Sequence, residues 1–173
     1  DSFEHIHALI EITKRVFIQR NRELGDPKYM TCSERNWLKD DVLNSILNGI
    51  DFSSSMPWPY CPKKGDTIWM GAIDKEGTAV SFIQSLFWEF GSGLVCPETG
   101  VCFQNRGASF SLKTGPNKLL PGKKPFHTLN PALAILKDGR RMVYGTMGGD
   151  GQPQTQSAIF SRYVYFNHNL QQS

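Results

Sequence analysis

Residues 63–82 read KKGDTIWMGAIDKEGTAVSF, and their reading decides the fold. Lys63-Lys64-Gly65-Asp66 is a charged loop. The run from Thr67 to Ile73 is strand-like, Asp74-Lys75-Glu76-Gly77 has turn chemistry, and TAVSFIQSLF (78–87) is the return strand. The stretch is therefore a β-hairpin, and the one reactive group at its head is the hydroxyl of Thr67. Taken alone, a threonine at the start of a strand is a β-former and nothing more.

Upstream of the hairpin the texture is helical. Phe3, Ile6, Ile10 and Phe17 fall at helical spacing, with Leu9, Ile12 and Val16 beside them, so a helix is predicted over 3–24 with an apolar face. Leu24-Gly25-Asp26-Pro27 ends it, with Gly25 suited to the position after the C-cap. A second helix is predicted over about 36–47, with Ser33 or Asn36 as N-cap and Asn48-Gly49 as stop. Residues 51–66, DFSSSMPWPYCPKKGD, carry no periodicity and read as a linker or exposed loop. Downstream, PALAIL (131–136), KDGR (137–140) and MVYGTM (142–147) form a second hairpin. A glycine turn and a helix from about Gln154 follow. Two hairpins with helices before and after them make an α+β layered domain.

Composition sets the outer bounds. The chain has 173 residues, 39% of them hydrophobic, enough for one domain with its own core. A net charge of +3 from 19 basic and 16 acidic residues, with no charged arm, argues against nucleic acid as partner. No apolar run is long enough to span a membrane. The four cysteines, at 32, 61, 96 and 102, form no CxxC and are too sparse for a disulfide scaffold. They read as thiols in a reducing compartment, which favours the cytoplasm over the periplasm. His5 and His7, two apart on a helix, cannot share a ligand. Trp58, Trp69 and Trp88 read as packing groups, and Lys118, Lys123 and Lys124 as solvated loop residues. No metal or organic cofactor is expected. The chain opens on Asp1 without an initiator Met and is read as a piece of a longer protein.

Five blocks, in order, carry a resemblance. They are HALIEITKRVFIQRNRELGDP, TIWMGAIDKEGTAVSFIQSLFWEFGSG, ETGVCFQNRGASFS, PGKKPFHTLNPALAILKDG and GTMGGDGQPQTQ. Together they resemble the gamma-glutamyltransferase family of N-terminal nucleophile hydrolases, made as a precursor that cuts itself before a threonine. The resemblance implies an αββα sandwich, present here only in part. It makes residues 1–66 the end of a large-subunit-like region with the processing loop. Residues 67–173 become a small-subunit-like region carrying the nucleophile. It also implies a heterodimer of processed fragments, or a dimer of these, with the rest of the large subunit as partner.

The resemblance gives Thr67 its chemistry. Cleavage between Asp66 and Thr67 frees the Thr67 amine, which titrates at about 7.7–8.0 and can take the proton of its own Oγ. The resemblance further implies that Gly148 and Gly149, within Gly145-Thr146-Met147-Gly148-Gly149, supply the oxyanion hole. It places Ser85 where a hydroxyl supports the nucleophile. Two residues on, where the family often has Asn, this chain has Phe87.

Substrate-binding positions follow by the same resemblance. Gamma-glutamyl enzymes hold an α-ammonium with an acid in an N-N-x-x-D-D-F type motif. Here the stretch runs from Gln104 to Phe110, with Arg106 inside it and Ser109 in place of the acid. A serine cannot neutralise an ammonium, and an arginine repels one but holds a carboxylate. The family's paired carboxylate-binding serines become His127-Thr128. His127 is read as an orienting donor or packing group, because Thr67 carries its own base. These changes resemble a branch that includes an oxamate amidohydrolase and acylases of glutaryl- or dicarboxylate-type amides. Three functions are therefore carried forward: a self-processing amidohydrolase for a small carboxylate-bearing amide, a glutathione hydrolase or gamma-glutamyl transferase, and an unprocessed non-catalytic relative.

Overall fold

The structure is a computed structural model that describes residues 2–58 and 66–173, with Asp66 described by its backbone alone. Most of the expected processing loop, residues 59–65, lies outside the described residues. The chain divides into two compact units. One holds residues 1–60 and 107–126, the other residues 61–106 and 127–173.

The first unit is built on α1 (Phe3–Glu23) and α2 (Asp40–Asn48). Ser2 caps α1 by accepting the His5 amide at 3.4 Å, and Arg20 and Arg22 sit in its last turn, where cations suit the helix dipole. The expected apolar face is only partly a core. Phe17 is buried, but Phe3 is 70% exposed and Ile10 46% exposed. The residue most withdrawn from water on α1 is Glu11, at 1%. The second helix begins later than its pattern suggests. Ser33 instead caps a 3-10 turn over Glu34–Leu38, and extended Lys39 separates that turn from α2.

The GDP segment after α1 also departs from its expected role. Gly25 has no left-handed φ. Its missing Cβ matters because one would lie 2.3 Å from the Pro116 carbonyl oxygen. Asp26 accepts the amides of Lys28 at 3.1 Å and Lys124 at 2.9 Å, which holds its carboxyl below the usual range.

The second unit holds two antiparallel pairs and one helix. β1 (Asp66–Ile73) pairs with β2 (Ala79–Phe87), and β3 (Ala132–Ile135) pairs with β4 (Arg141–Tyr144). Both turns use the glycine that the sequence supplies: Gly77 has φ 84° and Gly139 φ 85°. The pairs meet through Trp69. Its Nε1 donates to Ser81 Oγ at 2.9 Å, and Ser81 Oγ in turn reaches the Tyr144 carbonyl at 3.5 Å. A Cβ on Gly145 would stand 2.3 Å from the indole, so only glycine fits there. After β4 the chain turns through Gly148 and Gly149 into α3 (Gln152–Val164). The helix starts two residues before its expected position, with Pro153 in the first turn, where a missing amide hydrogen is harmless.

Candidate active site

Thr67 stands at the head of β1, 9% exposed, and its register partner is Ser85. Directly opposite residues of an antiparallel pair project to the same face with Cβ atoms about 4.5–5.5 Å apart. The two hydroxyls expected to cooperate are thus brought together. The next pair along is Asp66 with Phe87, and the register shifts between Asp66 and Thr67. Leu86 is the extra residue, so a β-bulge faces the Asp66–Thr67 bond. The Ser85 hydroxyl accepts the Phe87 amide at 2.9 Å, inside this bulge.

Beyond the bulge, Phe87 has φ 82°, a left-handed backbone that a bulky residue rarely adopts. Its neighbours are clamped by Asn105. The Asn105 amide donates to the Leu86 carbonyl at 3.0 Å, and the Trp88 amide donates to Asn105 Oδ1 at 3.1 Å. This clamp delivers Arg106 to the same end of the hairpin. The Arg106 guanidinium lies 4.6 Å from the Phe87 ring centroid. Arg106 is 7% exposed, and its NH1 nitrogen is buried without a hydrogen-bond partner. Among the described residues no carboxylate pairs with it, and burial draws its pKa down.

His127 belongs to this cluster. Its pKa is lowered, first by burial and then by the Arg106 charge, so the imidazole is neutral at physiological pH. Its Nδ1 accepts the Leu129 amide at 3.2 Å, which leaves the proton on Nε2. A neutral ring of this tautomer presents an Nε2–H donor.

Gly148 and Gly149 are left-handed in succession, with φ 106° and 53°. The Gly148 carbonyl accepts the Gly151 amide at 2.8 Å. Successive backbone amides in a turn can form an anion-binding concavity. A Cβ on Gly149 would lie 4.0 Å from Thr128 Oγ1, which brings Thr128 to this loop. Gln152, fully buried, accepts the Asn130 amide through Oε1 at 3.3 Å, while its Nε2 has no partner. Gln156 Nε2 reaches the Asn130 carbonyl at 3.1 Å. These amides tie the 127–130 segment to the loop that carries the glycines. Sequence reasoning missed both glutamines; the available signal was a run of uncharged polar residues directly after the glycine turn.

Ser109 is placed differently. It lies in the first unit, where its hydroxyl donates to the Phe126 carbonyl at 2.7 Å and its carbonyl accepts from Asn117 Nδ2 at 2.7 Å. Its side chain is spent on the backbone. Residues 51–58, read as part of a linker, are anchored instead. Glu11 Oε1 accepts from Ser55 Oγ at 3.1 Å and from the Met56 amide at 3.2 Å. A groove of about 740 Å³ in the first unit is lined by residues such as Glu23, Tyr29, Cys32, Trp37 and Pro116. Among the described residues, no group of His, Cys, Asp and Glu could hold a metal ion. No described helix is long and apolar enough to cross a membrane.

Comparison with known proteins agrees with the five-block resemblance. The family model for gamma-glutamyltranspeptidase matches residues 1–173. The chain is 51% identical over 176 residues to the oxamate amidohydrolase proenzyme of Klebsiella pneumoniae, covering 100% of this chain and 33% of that protein. It is 40% identical to the glutathione hydrolase-like YwrD proenzyme of Bacillus subtilis, covering 99% and 33%. The chain thus spans about a third of the length of these curated relatives. Among solved structures, gamma-glutamyltranspeptidase from Pseudomonas nitroreducens superposes with a TM-score of 0.54 at 27% identity, over 59% of this chain and 58% of that one. With a family model matched along the whole chain and a mixed helix-and-strand structure that covers part of the fold, the chain belongs to the gamma-glutamyltranspeptidase family, of the N-terminal nucleophile hydrolase fold.

Proposed function

We propose that the protein is a self-processing amidohydrolase whose substrate is a small amide bearing a carboxylate on its acyl part. The observation that carries this reading is Arg106, a buried cation with an unpartnered NH1 at the nucleophile's end of the β1–β2 hairpin. A buried charge without a partner is costly, and a ligand carboxylate would complete it. The same cation repels the α-ammonium of a gamma-glutamyl group.

The chemistry runs in two stages. In processing, Thr67 Oγ attacks the Asp66 carbonyl, the peptide nitrogen leaves as the Thr67 amine, and water hydrolyses the resulting ester. The freed amine then takes the Oγ proton as Oγ attacks the substrate amide. The leaving amine departs with a proton, and water releases the acid from the acyl-threonine. Ser85 supports the nucleophile from across the strand pair. The amides of Gly148 and Gly149 receive the developing oxyanion. Neutral His127 donates from Nε2 beside Arg106, and Thr128 adds its hydroxyl near Gly149.

A glutathione hydrolase is the second reading, favoured by the 40% identity to a protein named glutathione hydrolase-like. One experiment decides between them. Full-length wild type and Thr67→Ala are compared by intact mass and by hydrolysis of oxamate, a glutaryl amide and a gamma-glutamyl amide. Wild type should yield a fragment that begins at Thr67 and should prefer the first two substrates by kcat/KM. Thr67→Ala should stay a single inactive chain, and Thr67→Ser should cleave slowly and keep some turnover. Efficient cleavage of Thr67→Ala overturns the nucleophile, and preference for the gamma-glutamyl amide overturns the substrate class.

A further inference from the structure

We propose that Phe87 is a positioning residue for acyl specificity: its ring holds the Arg106 guanidinium in place for a substrate carboxylate, and a strained backbone sets the ring there. The inference rests on the reading of Arg106 given above.

The first observation is conformational. Phe87 is one of three non-glycine residues with positive φ among those described, and the one that lies in the nucleophile hairpin. Asparagine or glycine would adopt this backbone with less strain. Strain of this kind persists where the surroundings over-determine it. Here they do so through three hydrogen bonds: Phe87 amide to Ser85 Oγ, Asn105 amide to Leu86 carbonyl, and Trp88 amide to Asn105 Oδ1. The second observation is what the ring does. It stacks on Trp88 at 5.7 Å between centroids and carries the Arg106 guanidinium at 4.6 Å on its face.

The third observation is register. Phe87 faces Asp66, the residue before the nucleophile, with the bulge between them and the Thr67–Ser85 pair. A bulge with a left-handed residue re-aims the side chain that follows it. The aromatic face thereby directs a flat, paired-donor cation toward the strand end where acyl transfer takes place. A cation resting on a ring face loses no donor to it, so the edge of the guanidinium stays available to a carboxylate.

The test uses the full-length processed enzyme and three variants. Phe87→Asn suits the left-handed backbone but lacks the ring. Phe87→Leu keeps apolar bulk and strain but lacks the ring. Phe87→Tyr keeps the ring. For the preferred carboxylate-bearing amide, Asn and Leu should each raise KM roughly tenfold, the scale of a desolvated cation–π contact, with kcat nearly unchanged. Tyr should behave as wild type, and all three should still self-cleave. Should Leu fail to fold, Asn against Tyr gives the same comparison. Wild-type KM in Asn overturns the proposal, as does a fall in kcat alone. If wild type turns over no carboxylate-bearing amide, the substrate reading fails and this inference falls with it. If wild type does so and Arg106→Gln abolishes it while the Asn variant is unaffected, this inference alone fails.

Discussion

Glu11 and Arg106 are both charged groups taken out of water, at 1% and 7% exposure, and their surroundings treat them in opposite ways. Glu11 is completed from within its own unit. Lys14 Nζ and Arg15 NH1 each donate to its carboxylate at 2.7 Å, and Ser55 Oγ and the Met56 amide add two further donors. Arg106 has a ring beneath it and an orphaned nitrogen. A closed network fixes a fold and has nothing left to offer a ligand. An open one leaves a desolvation cost standing until a ligand arrives. The Phe17-x-x-Arg20-x-x-x-Leu24-Gly25-Asp26-Pro27 motif belongs with Glu11: Arg20 lies 4.0 Å over the Phe17 ring, and both Asp26 oxygens are engaged. That motif builds structure, whereas the Arg106 segment leaves a donor unspent.

The contrast can be broken in three ways. The largest effect belongs to the Gly148–Gly149 loop. Gly149→Val in the full-length protein should lower kcat by about 10²–10³-fold, the worth of a misplaced oxyanion donor. Its thermal midpoint should move far less; equal losses in both would return the loop to a plain turn. Next comes the closed network. Glu11→Gln should lower unfolding free energy by about 3 kcal/mol, because Lys14 and Arg15 are left facing a neutral amide, and urea denaturation would measure it. Lys14 first, then Arg15, Ser55 and the Met56 amide, hold the Glu11 carboxyl down from 4.5 to about 2. Its folded-state pKa is depressed, so its contribution is complete above pH 4.5 and is lost as pH falls through about 2. An unfolding series from pH 5 to 2 should show a steeper decline in wild type than in Glu11→Gln. The smallest effect on stability is on the open side. Arg106→Met should leave stability unchanged or raise it by up to about 1 kcal/mol while activity on carboxylate amides collapses. If it destabilises the fold as Glu11→Gln does, Arg106 is structural and the contrast fails.

Sequence made the hairpin plain, because turn chemistry and alternation are local, and the pairing of Thr67 with Ser85 follows once the turn is placed. The bulge beside that pair was not legible. One extra residue in β2 changes no composition, and only the Phe-for-Asn departure at 87 hinted at a left-handed backbone. Glu11 was hidden for another reason. Its donors Ser55 and Met56 lie more than forty residues away, in a stretch without periodicity. The same distance effect misled the reading of α1, where spacing marked Phe3 and Ile10 as core and long-range packing chose Phe17 and Glu11. Ser109 was placed by motif position, but its hydroxyl has a local use on the Phe126 carbonyl that no motif shows.

Trp69 and Gly145 interlock, and this constrains how the protein can change. The indole fills the volume that any side chain at 145 would need, within 2.3 Å of where its first carbon would sit. Trp69 lies two residues after Thr67, and Gly145 lies three before Gly148. Under the proposed mechanism, a mutation at either position should therefore disturb the distance between Thr67 and the amides of Gly148 and Gly149. The two sites cannot drift independently: a larger residue at 145 becomes admissible only after the indole has been reduced, and a smaller residue at 69 opens a void beneath the glycine loop. Their substitutions should be strongly non-additive, with each single change more harmful than the pair.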